Sequence, residues 1–318
     1  MSRLGEGTLE IRGRNVIVTG SAGFLGSHVW RAIDARHPKF VTASGCNLLN
    51  YPVTLSVFET LRPDIVVHLA AQVGGITANT RSPAEFIRNN LVMGLNVLDA
   101  CVATQVKKLV VVGTACSYPK FAISPLREED LWRGYPAEET APYGIAKRTL
   151  LTAMGAYRQQ YGLNSVMPIL GNLYGPGDHY EDTRSHVVAA VVRRALRHVS
   201  GPLEIGGSPD TVRDFLFAPD AAKGIVEVIE RYDSPEPINL SSGKPVTIGE
   251  MVRLLLKGLG RENTTVTWDA SFPVGHPARW LCTERARTLL GWTAPTDLEY
   301  GLRETVADYC GRFVLNNY

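Results

Sequence analysis

Only five of the 318 residues are cysteine, at positions 46, 101, 116, 282 and 310, with no regular spacing. That pattern excludes a disulfide framework and points to a reducing compartment. The seven histidines show no metal-ligand spacing, so no metal site is expected. Neither sign of charge is in excess: 33 lysines plus arginines face 31 aspartates plus glutamates, a net of +2. That balance gives no basis for a nucleic-acid or membrane-surface partner. No apolar run approaches the ~20 residues of a membrane helix, and "MSRLGEGTLEIRGR" has no apolar stretch like that of a secretory signal. The expectation is a cytoplasmic protein, in which the sequon at Asn263 is a chance match. With 45% hydrophobic and 20% charged residues, the chain can build a core large enough for two lobes.

What is present is a regular alternation. "NVIVTG" (15–20), "KFVTAS" (39–44), "DIVVHLAA" (64–71), "KLVVVG" (108–113) and "NSVMPILGNLYGP" (164–176) read as strands. Helical patterns lie between them, including "SPAEFIRNNLVMGLNVLDACV" and "YGIAKRTLLTAMGAYRQQYG". Ser82, Pro83 and Glu85 predict a capping box with proline in the first turn. The apolar strands without alternation are those of a sheet covered on both faces. The expected fold is therefore α/β, a Rossmann-like doubly wound parallel sheet with a smaller α+β C-terminal lobe that binds substrate. The first lobe is predicted over 12–175 plus about 213–243, the second over about 176–212 and 244–318.

"TGSAGFLG" joins the first strand to the first helix, with Gly20, Gly23 and Gly26 in G-x-x-G-x-x-G spacing. The glycines permit a tight turn, let the backbone approach a pyrophosphate, and bring the helix close to the sheet. The helix N-terminus offers free N–H groups to the phosphates. Ser21, Ala22, Phe24 and Leu25 complete this candidate cofactor loop. An acidic residue about 20 positions on would hold the ribose of NAD, yet no Asp or Glu occurs from Ala35 to Phe58. No arginine stands in the loop or at the far end of the second strand either, so the residues leave NAD and NADP open.

"YGIAK" sets Tyr143 and Lys147 four apart, on one helix face. An ammonium beside a phenol favours the phenolate, below its usual pKa of about 10, and the tyrosine can then exchange a proton with a substrate hydroxyl or ketone. Thr114, at the end of the fourth strand, could hold the same oxygen. By residue type alone, Cys116 reads as a small buried filler.

The order "TGSAGFLG", "VHLAA", "GTACSYP", "YGIAK", "NLYGPGD", "VRDFLF" resembles the extended short-chain dehydrogenase/reductase (NAD-dependent epimerase/dehydratase) superfamily over about 15–310. Within it, "HLAAQVGGITANTRSPAEFIRNN", "CSYPK", "SVMP" and "SHVVAAVVRRA" are similar to the GDP-L-fucose synthase family. That likeness implies an NADPH-dependent 3,5-epimerase and 4-ketoreductase acting on a GDP-linked 4-keto sugar. It makes Thr114, Tyr143 and Lys147 the reducing group and Cys116 with His186 the epimerising pair. It extends the cofactor contacts to Leu48, to Leu69, Ala70, Ala71 and Val73, to Gly113 and Thr114, to Tyr143 and to Lys147, which can hold the nicotinamide ribose, and to Asn172, Leu173 and His186. Asn172, Arg194, Arg213 and Arg279 are assigned to the substrate, the arginines facing its pyrophosphate. The likeness also implies a homodimer built on the helices around 83–105 and 143–161. Two departures stand out. Ala22 occupies the place of a common loop arginine, which weakens NADP against NAD, and Cys282 falls near the place of a usual aspartate. A redox-neutral epimerase that retains NAD, resembling GDP-mannose 3,5-epimerase or a 4-epimerase, is the alternative; a non-catalytic dinucleotide-binding scaffold is a minor one.

Overall fold

A computed structural model describes residues 9–42, 45–181, 185–272 and 275–313. Of the second predicted strand, Ala43 and Ser44 lie outside the described residues, as do residues 314–318 of the predicted second lobe. The chain runs β1 (Asn15–Thr19), α1 (Phe24–Asp34), β2 (Lys39–Thr42), α2 (Tyr51–Leu61), β3 (Ile65–His68), α3 (Ile76–Arg81), α4 (Pro83–Ala103), β4 (Lys108–Val111) and β5 (Gly113–Thr114). It continues α5 (Ala141–Tyr161), β6 (Ser165–Val166), β7 (Pro168–Leu170), β8 (Asn172–Tyr174), α6 (Val187–Arg197), β9 (Leu203–Gly206), β10 (Val212–Phe217), α7 (Ala218–Arg231) and β11 (Ile238–Leu240). Last come β12 (Pro245–Thr247), α8 (Ile248–Gly258), β13 (Val266–Asp269), β14 (Ala278–Arg279), α9 (Glu284–Leu290) and α10 (Leu298–Phe313).

The main sheet is parallel in the order β2-β1-β3-β4-β6, and β11-β7-β5 form a second parallel set. Only Val112 separates β4 from β5 and only Met167 separates β6 from β7, so the two sets are successive lengths of one doubly wound sheet. Alternate residues bury on opposite faces. Val16, Val18, Val67 and Val110 pack with Val29, Ile33, Ile225 and Ile229. Ile17, Val66, Leu109 and Val111 pack with Phe58, Leu98 and Leu150. Both faces being covered explains the unbroken apolar strands. The order reverses between β1 and β3, so the crevice that binds ligands in this fold opens at their carboxyl ends.

A third core gathers Tyr174, Val188, Val192, Phe215, Met251, Leu255, Leu302 and Tyr309 beneath α6, α8 and α10. Strand β10 ties this region to the rest: it pairs in parallel with β8 and β14 and antiparallel with β12. Ala286, Leu290, Trp292 and Ala294 pack instead into the first core. The stretch around α9 thus sits with the sheet, inside a span assigned from sequence to the other lobe.

The capping box does not form. Ser82 precedes α4 without a side-chain cap bond, because it also ends α3 and its N–H bonds to the carbonyl of Ala78. The Glu85 carboxylate accepts from Gln72 Nε2 at 3.5 Å instead.

Candidate active site

At the crevice, Gly20 has φ +73° and lies so near Ala70 that a Cβ would stand 2.8 Å from its backbone nitrogen; one at Gly26 would stand 2.0 Å from the Gly20 carbonyl oxygen. These two glycines are fixed by the turn and by the approach of helix to strand. Gly23 caps α1 with no side-chain bond and with no acidic residue in the first turn. The first N–H groups of the helix therefore face the crevice without a competing anion. Thr19 Oγ1 shares a 2.8 Å hydrogen bond with His68 Nδ1 and accepts from the Ala70 N–H at 3.3 Å, lacing the ends of β1 and β3 together.

Beyond Ala71 the chain is held by residues that sequence reasoning missed. Buried Asn90 accepts from the Gln72 N–H at 2.9 Å and donates to the Gln72 carbonyl at 3.0 Å. Asn79 donates to the carbonyls of Gly74 and Gly75. Val73 is half exposed beside this clamp. The side chain of Leu48 lies in the core with Phe58 and Leu98. Leu69 and Leu173 are partly buried against the first core. Asn172 donates from Nδ2 to the Asp214 carbonyl at 3.0 Å.

The loop, the helix end and the glycines that no side chain could replace make a cradle that fits a dinucleotide. The expected ribose ligand Lys147 is 2% exposed, and its ammonium lies 5.9 Å from the centre of the Tyr143 ring. Among the described residues no carboxylate pairs with it, and burial pulls its pKa down from 10.5 to about 8. Its charge, second to burial, helps hold His68 near 3, so that imidazole is neutral. Tyr143 departs from expectation. Burial first, and the charge at Cys116 second, raise its phenol well above 10. In the protein alone, desolvation outweighs the help of the lysine.

Cys116 sits in a single 3-10 turn, Ala115–Ser117, capped by Thr114, whose Oγ1 accepts from the Cys116 N–H at 3.2 Å. That leaves the threonine proton free to be donated elsewhere. The turn is clamped to α5. Ser117 Oγ donates to the Gly144 carbonyl at 3.1 Å, and Arg148 donates from Nε to the Ser117 carbonyl and from Nη1 to Gly134. Arg279 takes the next carbonyl, donating to Tyr118 at 2.8 Å. Gly144 allows the approach, since a Cβ there would be 2.4 Å from the Cys116 carbonyl oxygen. Gly144→Ala is therefore expected to push the cysteine turn off the tyrosine helix. Thermal unfolding should show a loss on the order of 2 kcal/mol, the usual range for overpacking, and a Tm within a degree of wild type would mean the turn moves freely.

Arg213 and Arg279 are register partners on β10 and β14. Burial, then Arg279, lowers Arg213 to about 10. Both guanidinium groups are favoured by negative charge at Cys116. Thr114, Cys116, Tyr143, Lys147, Arg213 and Arg279 thus form one cluster. Arg194 has other neighbours: it donates to the Glu204 carbonyl at 3.1 Å and stacks over Phe272. His186 precedes α6 with its side chain 49% exposed, and its Nδ1 is 3.9 Å from Asp178 Oδ1.

An α/β dinucleotide fold with a Tyr-Lys pair at its crevice defines the class, and comparison with known proteins agrees. Residues 16–241 match the NAD dependent epimerase/dehydratase family, and the chain belongs to that family of enzymes. A GDP-L-fucose synthase of Sinorhizobium fredii (strain NBRC 101917 / NGR234) is 35% identical over 304 residues, 93% of this chain and 96% of the relative. One from Escherichia coli (strain K12) is 34% identical over 309 residues, 92% of this chain and 95% of the relative. The crystal structure of a GDP-L-fucose synthetase from Naegleria fowleri superposes with a TM-score of 0.88 at 24% identity, covering 97% of this chain and 96% of that one; it speaks for the fold. Within the family, the chain falls among nucleotide-sugar epimerases and reductases similar to GDP-L-fucose synthase.

Proposed function

We propose that this protein is a nucleotide-sugar 3,5-epimerase and 4-ketoreductase acting on a GDP-linked 4-keto-6-deoxy sugar of the GDP-4-keto-6-deoxymannose type. The observation that carries the reading is the Cys116 turn clamped against the Tyr143–Lys147 helix at Gly144, with Arg279 bonded to the carbonyl two residues on. C–H bonds flanking a 4-ketone are acidic, because the carbanion spreads onto the oxygen. Cys116 removes such a proton as thiolate, and His186 returns one on the opposite face. Tyr143 then gives its proton to the C4 oxygen while Thr114 donates a hydrogen bond to the same atom. When bound, NADPH supplies the hydride. Lys147 holds its ribose, and its ammonium also favours the charge left on Tyr143. Arg213 and Arg279 grip the anionic substrate, with Arg194 and Asn172 toward its nucleotide.

The sheet region, 12–175 with about 213–243, serves as the dinucleotide lobe; 176–212 with 244–318 serves as the substrate lobe, apart from the α9 stretch that packs on the sheet. Two such chains pair through α4 and α5, whose close packing rests on Gly94 against Leu150 and leaves Leu95 outward.

One observation favours a second reading. Ala22 is exposed in the glycine loop, where a cation would grip a 2′-phosphate, and its absence suits a redox-neutral epimerase that retains NAD. Mixing the protein with GDP-4-keto-6-deoxymannose and NADPH separates the two. NADPH absorbance should fall in step with product. Product epimerised without any loss of absorbance would establish the redox-neutral enzyme.

A further inference from the structure

We propose that Asp178 is the positioning residue for His186, setting its tautomer and steadying its charged form during proton transfer to the sugar. This rests on the reading of His186 as the proton donor. Asp178 is completely buried. Its Oδ1 accepts from the His179 N–H at 2.7 Å, but Oδ2, also buried, has no hydrogen-bond partner among the described residues. A buried carboxylate oxygen left unmatched is costly, and a native fold that keeps one commonly has a functional reason for it. His186 Nδ1 stands 3.9 Å from Oδ1, too far for a hydrogen bond but about one ångström from making one.

The carboxylate itself has little freedom. The Asp178 N–H bonds to the Gly175 carbonyl, and its own carbonyl accepts from Arg312 Nη1 at 3.0 Å. Arg312 is also engaged by Asp308 at 3.2 Å, and Tyr180, which feels the charge of Asp178, is bonded to the same Asp308. His186, half exposed and not used as a side-chain cap, is the member that moves.

The chemical consequence is specific. With Nδ1–H directed at Asp178, Nε2 is the nitrogen that faces the sugar. In the charged ring, Nε2–H delivers its proton to the carbanion carbon. The ring returns to neutral with Nδ1–H in place, and water re-protonates Nε2. A buried carboxylate stabilises the imidazolium without taking its proton.

Nitrogen-15 NMR of histidine-labelled protein, with His186→Gln to assign the signal, tests this. The neutral wild-type ring should carry its proton on Nδ1, and Asp178→Asn should move it toward Nε2. With substrate in deuterated water, Asp178→Asn should lower deuterium entry into the sugar roughly tenfold to a hundredfold more than it lowers hydride transfer, a fraction of what a general acid contributes. A wild-type ring protonated on Nε2 overturns the proposal even if the variant does not fold. An unchanged tautomer in a folded variant, or equal losses in exchange and hydride transfer, overturns it too. Full exchange in His186→Gln would instead remove the reading of His186 on which it rests, while the tautomer would still report whether Asp178 holds the ring.

Discussion

Cys116→Ser should abolish exchange of the sugar C–H protons with deuterated water while leaving dinucleotide binding intact. Serine keeps the size of the side chain and the backbone N–H that bonds to Thr114. It loses the base, because a hydroxyl does not ionise where a thiol does. A positioned general base contributes 10²–10⁴, so deuterium incorporation, followed by mass spectrometry of the recovered nucleotide sugar, should fall by about 10³. Cofactor affinity, read by fluorescence titration, should stay within about twofold, since the glycine loop and Lys147 are untouched. Full exchange in the variant would remove Cys116 from the mechanism. Loss of exchange together with loss of binding would mean that the 115–117 turn had collapsed, and a shift in the melting curve would expose that.

The sheet was legible because each core strand is an apolar run covered on both faces, and the glycine loop marks where the first one ends. Its interruptions were not. Nothing in "KLVVVG" marks the break at Val112, which arises from how two successive lengths of strand pair with different neighbours. Helix α2 escaped notice because "YPVTLSVFETL" is rich in β-branched residues and shows no clean apolar stripe. Its signals were local: Asn50 caps it through a bond from the Val53 N–H, and Pro52 occupies the first turn. The capping box at Ser82 failed for the opposite reason. The motif was present, but a preceding helix had already committed the backbone of that residue.

The site divides along the same line. Motifs contained in one element, such as G-x-x-G-x-x-G or a tyrosine four residues before a lysine, could be read directly. Contacts between elements could not. Arg148 follows Lys147 by one residue, yet its role comes from Ser117, 31 positions away. Asn90 clamps Gln72 from the neighbouring helix, and His68 meets Thr19 across two strands. The error over Tyr143 is of this kind. The sequence displays the lysine that would lower its pKa and hides the burial that raises it more. Under the proposed function, a bound dinucleotide and a ketone oxygen would offset that burial in the filled site.

Lys147 offers the sharpest test of that view, because its role in the proposed reaction and its effect on stability oppose each other. Its pKa falls from 10.5 unfolded to about 8 folded. At neutral pH the empty protein therefore buries a charged ammonium at a cost on the order of 3 kcal/mol. Between pH 8 and 10.5 the unfolded chain holds a proton that the folded one has released, so this residue makes stability rise with pH across that window. Lys147→Met removes the charge and keeps the bulk. Differential scanning of the empty protein at pH 7 should then show Tm raised by several degrees, at roughly 2–4 °C per kcal/mol. The rise in Tm between pH 8 and 10 should also be smaller than in wild type. Hydride transfer to a 4-keto sugar should nonetheless drop by ~10³, since the variant has lost both the ribose ligand and the charge beside the phenol. A variant less stable than wild type at pH 7 would show that the ammonium already has its match in the empty site. An enzyme of full speed would move proton transfer away from the Tyr-Lys pair.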